Sequence, residues 1–153
     1  MIATTLNIHI NVLSCINQAT LELGKTRKEV IVFLLKRLME DTEVFSRGFS
    51  TVKYQEDADP EHWHCFHIRF REDDYEYFLD LRNFSKSSVS CLLAIAVTKY
   101  LESLIEDFKT GAVDNYSLFR NYVLHWEVID GIMAWHIYWG FPGNHLQTLR
   151  LNK

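Results

Sequence analysis

The segment that most restricts the fold is Val30-Ile31-Val32-Phe33-Leu34-Leu35, six consecutive apolar residues followed by Leu38 and Met39. Thr26-Arg27-Lys28-Glu29 stands directly before it and reads as a capping box, in which the two end side chains satisfy backbone donors at a helix start. A helix opening there carries apolar groups around nearly its whole circumference, so one flat contact cannot bury them. A segment of about 45 residues is too small to supply that cover alone, and the pattern predicts an obligate dimer intertwined with a second copy.

Upstream, residues 5–11 alternate strictly, with Leu6, Ile8 and Ile10 on one face and Thr5, Asn7, His9 and Asn11 on the other. Period two predicts a half-buried strand whose apolar side rests on the core. From Val12 the apolar positions Val12, Ile16, Ala19 and Leu23 follow helical spacing, and Gly24 is placed to end that helix in a left-handed conformation.

A polar-alternating strand, a short helix, Gly24-Lys25-Thr26-Arg27-Lys28-Glu29 and an apolar second helix together resemble the ribbon-helix-helix DNA-binding domain. The resemblance to this Arc/MetJ/CopG-like family covers residues 4–41. It implies a homodimer whose two strands pair into an antiparallel ribbon that enters the major groove of double-stranded DNA. By the same resemblance Thr5, Asn7 and His9 contact bases, while Lys25, Thr26, Arg27 and Lys28 hold phosphates. The chemistry fits: an Asn amide donates and accepts at adenine, Thr offers hydroxyl and methyl, and His hydrogen-bonds to guanine or the backbone. Cations at a helix start oppose the dipole by about 0.3 to 1 kcal/mol each, a conflict that a bound anion resolves. The segment departs from the family in having no Arg or Lys on its reading face.

Aromatic residues mark a second region, since residues 1–44 hold only Phe33 of the 21 in the chain. The expected organisation is α+β: a ribbon-helix-helix domain at 1–45, a connector at Ser46, Gly48 and Ser50, and an α+β domain of unknown role at 50–153. In that second domain, strands are expected at 51–55, 62–71 and 75–82 as an antiparallel meander, with a tight turn at Glu72-Asp73-Asp74. A long helix capped somewhere in Ser85 to Ser88 and running to about Lys109, a short one near 116–121, and a hairpin of strands 122–129 and 132–139 around Asp130-Gly131, where helix is the competing reading, complete the expectation. No internal repeat is visible.

Charge is distributed unevenly, with residues 50–115 carrying 13 acidic against seven basic groups within a net charge of -4. That balance excludes nonspecific coating of nucleic acid over the whole surface but allows a local contact face. Cys15, Cys65 and Cys91 read as reduced, buried thiols of a cytoplasmic protein, and no stretch suggests a membrane span or leader. His62-Trp63-His64-Cys65-Phe66-His67 offers His62 and His64 on one strand face as metal-ligand candidates, though such residues are ordinary on a half-buried strand and no cofactor is expected. Enzyme signatures are missing: there is no Gly-x-Ser-x-Gly and no phosphate-binding Gly loop. The aromatic run Trp126, Trp135, Tyr138, Trp139 and Phe141 reads as core, or as the surface that takes a protein or small-molecule effector. The leading expectation is a dimeric, site-specific DNA-binding protein acting as a bacterial transcriptional regulator; the runner-up is an interaction or ligand- or metal-sensing module in which the amino-terminal fold serves only dimerisation, and the carboxy-terminal domain is the candidate for higher assembly.

Overall fold

Alternation builds the first strand as expected. In β1 (Ile2–His9), Leu6 and Ile8 are buried while Ala3, Thr5 and Asn7 are exposed. This is a computed structural model, and it describes residues 1–39, 60–112 and 122–139. The strand ends two residues earlier than the alternation suggests, because the His9 imidazole caps the next helix: its Nδ1 accepts the Asn11 N–H at 3.2 Å. Helix α1 (Ile10–Leu23) therefore takes Ile10 out of the inward row and leaves it 41% exposed. Gly24 follows at φ 61°, and α2 (Arg27–Met39) opens with the Thr26 cap in place.

The next described elements are a 3-10 turn at Pro60–His62, β2 (Trp63–Phe70), α3 (Glu72–Ser85) and α4 (Val89–Thr110). Here the expected meander is corrected, since 75–82 is helical and Glu72-Asp73-Asp74 is the first turn of α3 rather than a hairpin turn. Tyr77, Phe78, Leu81 and Ser85 are buried with Asp74 on one helical stripe, and three acidic residues at the start favour the helix dipole. Over eight residues the two periods are hard to separate. The expected strand at 51–55, the connector and the helix near 116–121 lie outside the described residues.

β1 pairs antiparallel along its whole length with β2 of the same chain, from Ile2 opposite Phe70 to His9 opposite Trp63. The ribbon thus forms without a second copy's strand. Moreover, β2-α3-α4 repeats β1-α1-α2 element for element: both strands have 8 residues, both first helices 14. A shift of 62 residues, the separation of the helix starts Ile10 and Glu72, carries one half onto the other. Under it Leu6 and Ile8 correspond to Ile68 and Phe70, Ile16 and Ala19 to Phe78 and Leu81, and Val30 and Ile31 to Leu92 and Leu93. All ten are buried. The register obeys the same relation, because Thr5 stands opposite His67, its own counterpart, so the pseudo-two-fold axis passes through that rung.

This duplication answers the demand set by α2. Val30 through Leu35, Leu38 and Met39 are all at most 5% exposed within the single chain. Helices α1, α3 and α4 and strand β2 all pack on α2, with α4 contributing most. Burial of α2 accordingly needs no second copy. Phe33 meets Phe108 edge to face at 4.7 Å, and Arg37 Nη1 reaches Asp107 Oδ2 at 2.6 Å. The elements on either side of the boundary expected near 45 share one unit, Met1–Val113. Unit two, Asp114–Lys153, contains β3 (Tyr122–Ile129) and β4 (Ile132–Trp139), joined through Asp130 and Gly131 at φ 52° and 79° as the dipeptide suggests. Trp126, Val128, Ile132 and Met133 of this hairpin are exposed. No described helix is long and apolar enough to cross a membrane.

Between the halves, Lys36 Nζ lies 3.0 Å from Asp74 Oδ1, with side chains 17% and 8% exposed. The Tyr77 hydroxyl donates to the Lys36 carbonyl at 3.2 Å beside them. Removing one member of such a pair strands a desolvated charge and costs about 3 kcal/mol, whereas an apolar replacement of both is close to neutral. Asp74→Ala is therefore expected to lower the urea midpoint strongly. The double variant Lys36→Met with Asp74→Leu should recover most of the loss, and equal losses in both would contradict the pairing.

Candidate functional site

Pairing of β1 with β2 creates one outward face with four rungs: Ala3 opposite Arg69, Thr5 opposite His67, Asn7 opposite Cys65, and His9 opposite Trp63. Ala3, Thr5, Asn7, Cys65, His67 and Arg69 are exposed. The Asn7 N–H turns away from β2 and donates to Ser90 Oγ at 3.3 Å, so these rungs are of the non-hydrogen-bonded kind, in which facing side chains come closest. Accordingly, Thr5 Oγ1 and His67 Nδ1 share a hydrogen bond of 3.0 Å at the centre of the face. His9 is half-buried, caps α1 through Nδ1, and stacks on His62 with ring centroids 5.8 Å apart, which places it at the closed end of the ribbon.

Arg69 and His67 supply the basic groups that the β1 face lacks. Sequence reasoning missed them as part of this site because β2 was assigned to a separate sheet. The signal was present, since His67-Ile68-Arg69-Phe70 repeats the out-in alternation of Thr5-Leu6-Asn7-Ile8. Cys65 is exposed on the same face and Cys15 is exposed on α1, against the expectation of buried thiols; Cys91 is half-buried.

One helix start flanks each strand. Beside β2 lies the start of α2, where the Arg27 guanidinium sits 5.3 Å from the Phe66 ring centre and its Nε donates to Asn17 Oδ1 at 3.1 Å. Arg27 and Thr26 are exposed, Lys25 and Lys28 half-buried, with Lys25 Nζ 5.9 Å from the Phe108 ring. The capping box is complete: Thr26 donates its N–H and hydroxyl to Glu29 Oε2 at 2.7 and 2.8 Å, and the Glu29 N–H donates to Thr26 Oγ1 at 3.2 Å. A phosphate at Thr26 would therefore compete with the Glu29 carboxylate. These bonds, the backbone one foremost, hold the Glu29 carboxyl below its ordinary value, helped by Lys25 and Lys28 and opposed by partial burial.

Beside β1 lies the start of α4, capped by Ser88 Oγ, which accepts the Cys91 N–H at 3.2 Å. An open cavity of about 460 Å³ runs along this edge, lined in part by Thr5, Asn7, Arg82, Ser88 and Ser90. Lys86, the counterpart of Gly24, adopts a left-handed φ of 52° just before α4. A non-glycine side chain there costs about 1 kcal/mol or more, so a cation is kept at a position where glycine would be easier.

The metal candidates do not converge. His62 belongs to the 3-10 turn and His64 to β2, so the shared strand face expected for them does not form. Among the described residues no three His, Cys, Asp or Glu side chains are grouped to hold a metal ion.

Residues 1–39 and 60–112 thus define a single-chain double strand-helix-helix fold, compatible with ribbon-helix-helix topology. No protein-family model, curated protein or solved structure matches the chain.

Two outcomes follow from the helix starts. Because the Glu29 carboxyl is depressed in the folded chain, its contribution is present above the ordinary carboxylate range and is lost as pH falls through the lowered value. The stability gap between wild type and Glu29→Gln should therefore be open at pH 7 and close on acidification; a pH-independent gap in urea titrations would contradict this. Lys86→Gly should raise stability by about 1 kcal/mol through relief of the left-handed strain. A destabilised variant would show that Lys86 is held there by packing instead.

Proposed function

We propose that the chain binds double-stranded DNA in a sequence-specific manner and acts as a transcriptional regulator of the ribbon-helix-helix kind. What supports this most is the outward ribbon face. It is a helix-backed, two-stranded surface carrying Thr5, Asn7, His67 and Arg69, with the size and hydrogen-bonding repertoire suited to a major groove. Phosphate contacts fall to Lys25, Arg27 and Lys28 beside β2, and to Lys86, Arg82 and Ser90 beside β1. Both sets combine cations or hydroxyls with the positive end of a helix dipole. Acidic groups lie near one of these sets as well, since Glu106 and Asp107 immediately precede Phe108, whose ring centre is 5.9 Å from Lys25 Nζ, and Asp107 is paired with Arg37.

A second reading is favoured by the exposed Trp126, Val128, Ile132 and Met133 of the hairpin, which suit an interaction module binding a protein or small-molecule effector. In that reading the ribbon is structural and its outward residues have no ligand.

Gel shifts in a salt series on random duplexes separate the two. The DNA reading expects log affinity to fall linearly with log salt, and Lys28→Ala to weaken all duplexes alike while flattening the slope by about 0.9. No measurable shift at low salt, or binding unchanged by Lys28→Ala and Asn7→Ala together, would favour the interaction module.

A further inference from the structure

Resting on the DNA reading above, we infer that a single chain occupies a duplex site lacking two-fold symmetry, with Asn7 and Arg69 reading different bases on either side of the ribbon centre. In a symmetric dimer the two strands present identical side chains, and the site mirrors this as an inverted repeat. Here the two strands belong to one chain and differ in sequence. The 62-residue relation that superimposes the buried positions makes Arg69 the counterpart of Asn7, each two residues from the central Thr5 and His67 rung. Both are exposed, and each faces a small residue, Cys65 opposite Asn7 and Ala3 opposite Arg69, so neither is screened across the ribbon.

Their chemistry differs in what it recognises. The Asn7 carboxamide pairs bidentately with adenine N6 and N7, and the Arg69 fork with guanine O6 and N7. Four residue positions separate them along the ribbon, about 13 Å at strand rise, which keeps both within one exposure of the major groove. The centre is also unlike on its two sides, because Thr5 offers a methyl and His67 an imidazole edge while a shared hydrogen bond fixes both. The flanks reinforce the direction: Lys25, Arg27 and Lys28 lie at the β2 side, whereas Lys86 followed by Ser87, Ser88 and Ser90 lies at the β1 side. One orientation on the duplex therefore differs in energy from the reverse.

The test is selection of the full chain on a pool of random 20-base-pair duplexes at moderate salt, followed by anisotropy titrations of point-substituted winners and native mass measurement of stoichiometry. One chain per duplex and a motif that is not an inverted repeat are expected. Arg69→Lys keeps the charge at an exposed position but loses the fork. It should lose preference at one guanine by about tenfold or more. Asn7→Ala should relax a different position. An inverted-repeat motif occupied by two chains, or an Arg69→Lys profile unchanged at every position, overturns this inference and leaves duplex binding intact. Absence of affinity for any duplex at low salt removes both.

Discussion

The antiparallel pairing of β1 with β2 is the interaction on which the remaining architecture depends. It places Leu6, Ile8, Ile68 and Phe70 on one side as the floor of the core, above which α2 of one half packs against α4 of the other. α2 can then be apolar on all sides, because α4 supplies the contact that a second copy would otherwise supply. Large core residues such as Leu34 and Leu35 are fully buried by this arrangement, and truncating one to Ala would cost about 2 to 5 kcal/mol. The outward face is a by-product of the same register, since every inward residue fixes its neighbours outward.

Joining both halves in one chain changes the thermodynamics as well as the geometry. A dimer loses its core on dilution, whereas tethered halves meet at an effective concentration set by the connecting segment, here residues 40–59. Covalent linkage also allows the two halves to differ in sequence. In the matched positions Gly24 corresponds to Lys86, Thr26 to Ser88 and Asn7 to Arg69, while the buried positions share only their apolar character. The buried Lys36 and Asp74 pair and the Arg37 and Asp107 pair join elements of different halves.

Much of this was legible in the sequence, and the illegible part has a physical cause. The strand of β1, the helix of α2 behind its capping box, the long α4 and the Asp130-Gly131 hairpin each follow from strong local signals. The all-round apolarity of α2 stated correctly that one face was insufficient, yet could not say whether the cover came from another copy or from residues 60–112. That answer depends on pairing between segments 62 residues apart, for which no local pattern exists. α3 was obscured because Tyr75 to Arg82 alternates over eight residues and only the tertiary setting selects the helical period. Of the site, Thr5 and Asn7 lie where the alternation put them, His9 was diverted to capping, and Arg69 and His67 became partners only through the register.

Disulfide trapping across the ribbon tests the intrachain pairing most directly. Asn7→Cys sets a thiol opposite the native Cys65 on a non-hydrogen-bonded rung, where the close approach of facing residues suits a disulfide. Cys15→Ser and Cys91→Ala remove the competing thiols. Mild oxidation of dilute protein should give an intrachain disulfide and a monomer on non-reducing electrophoresis, independent of protein concentration. A disulfide-linked dimer whose yield rises with concentration, or persistence of both free thiols, would contradict a ribbon built from one chain.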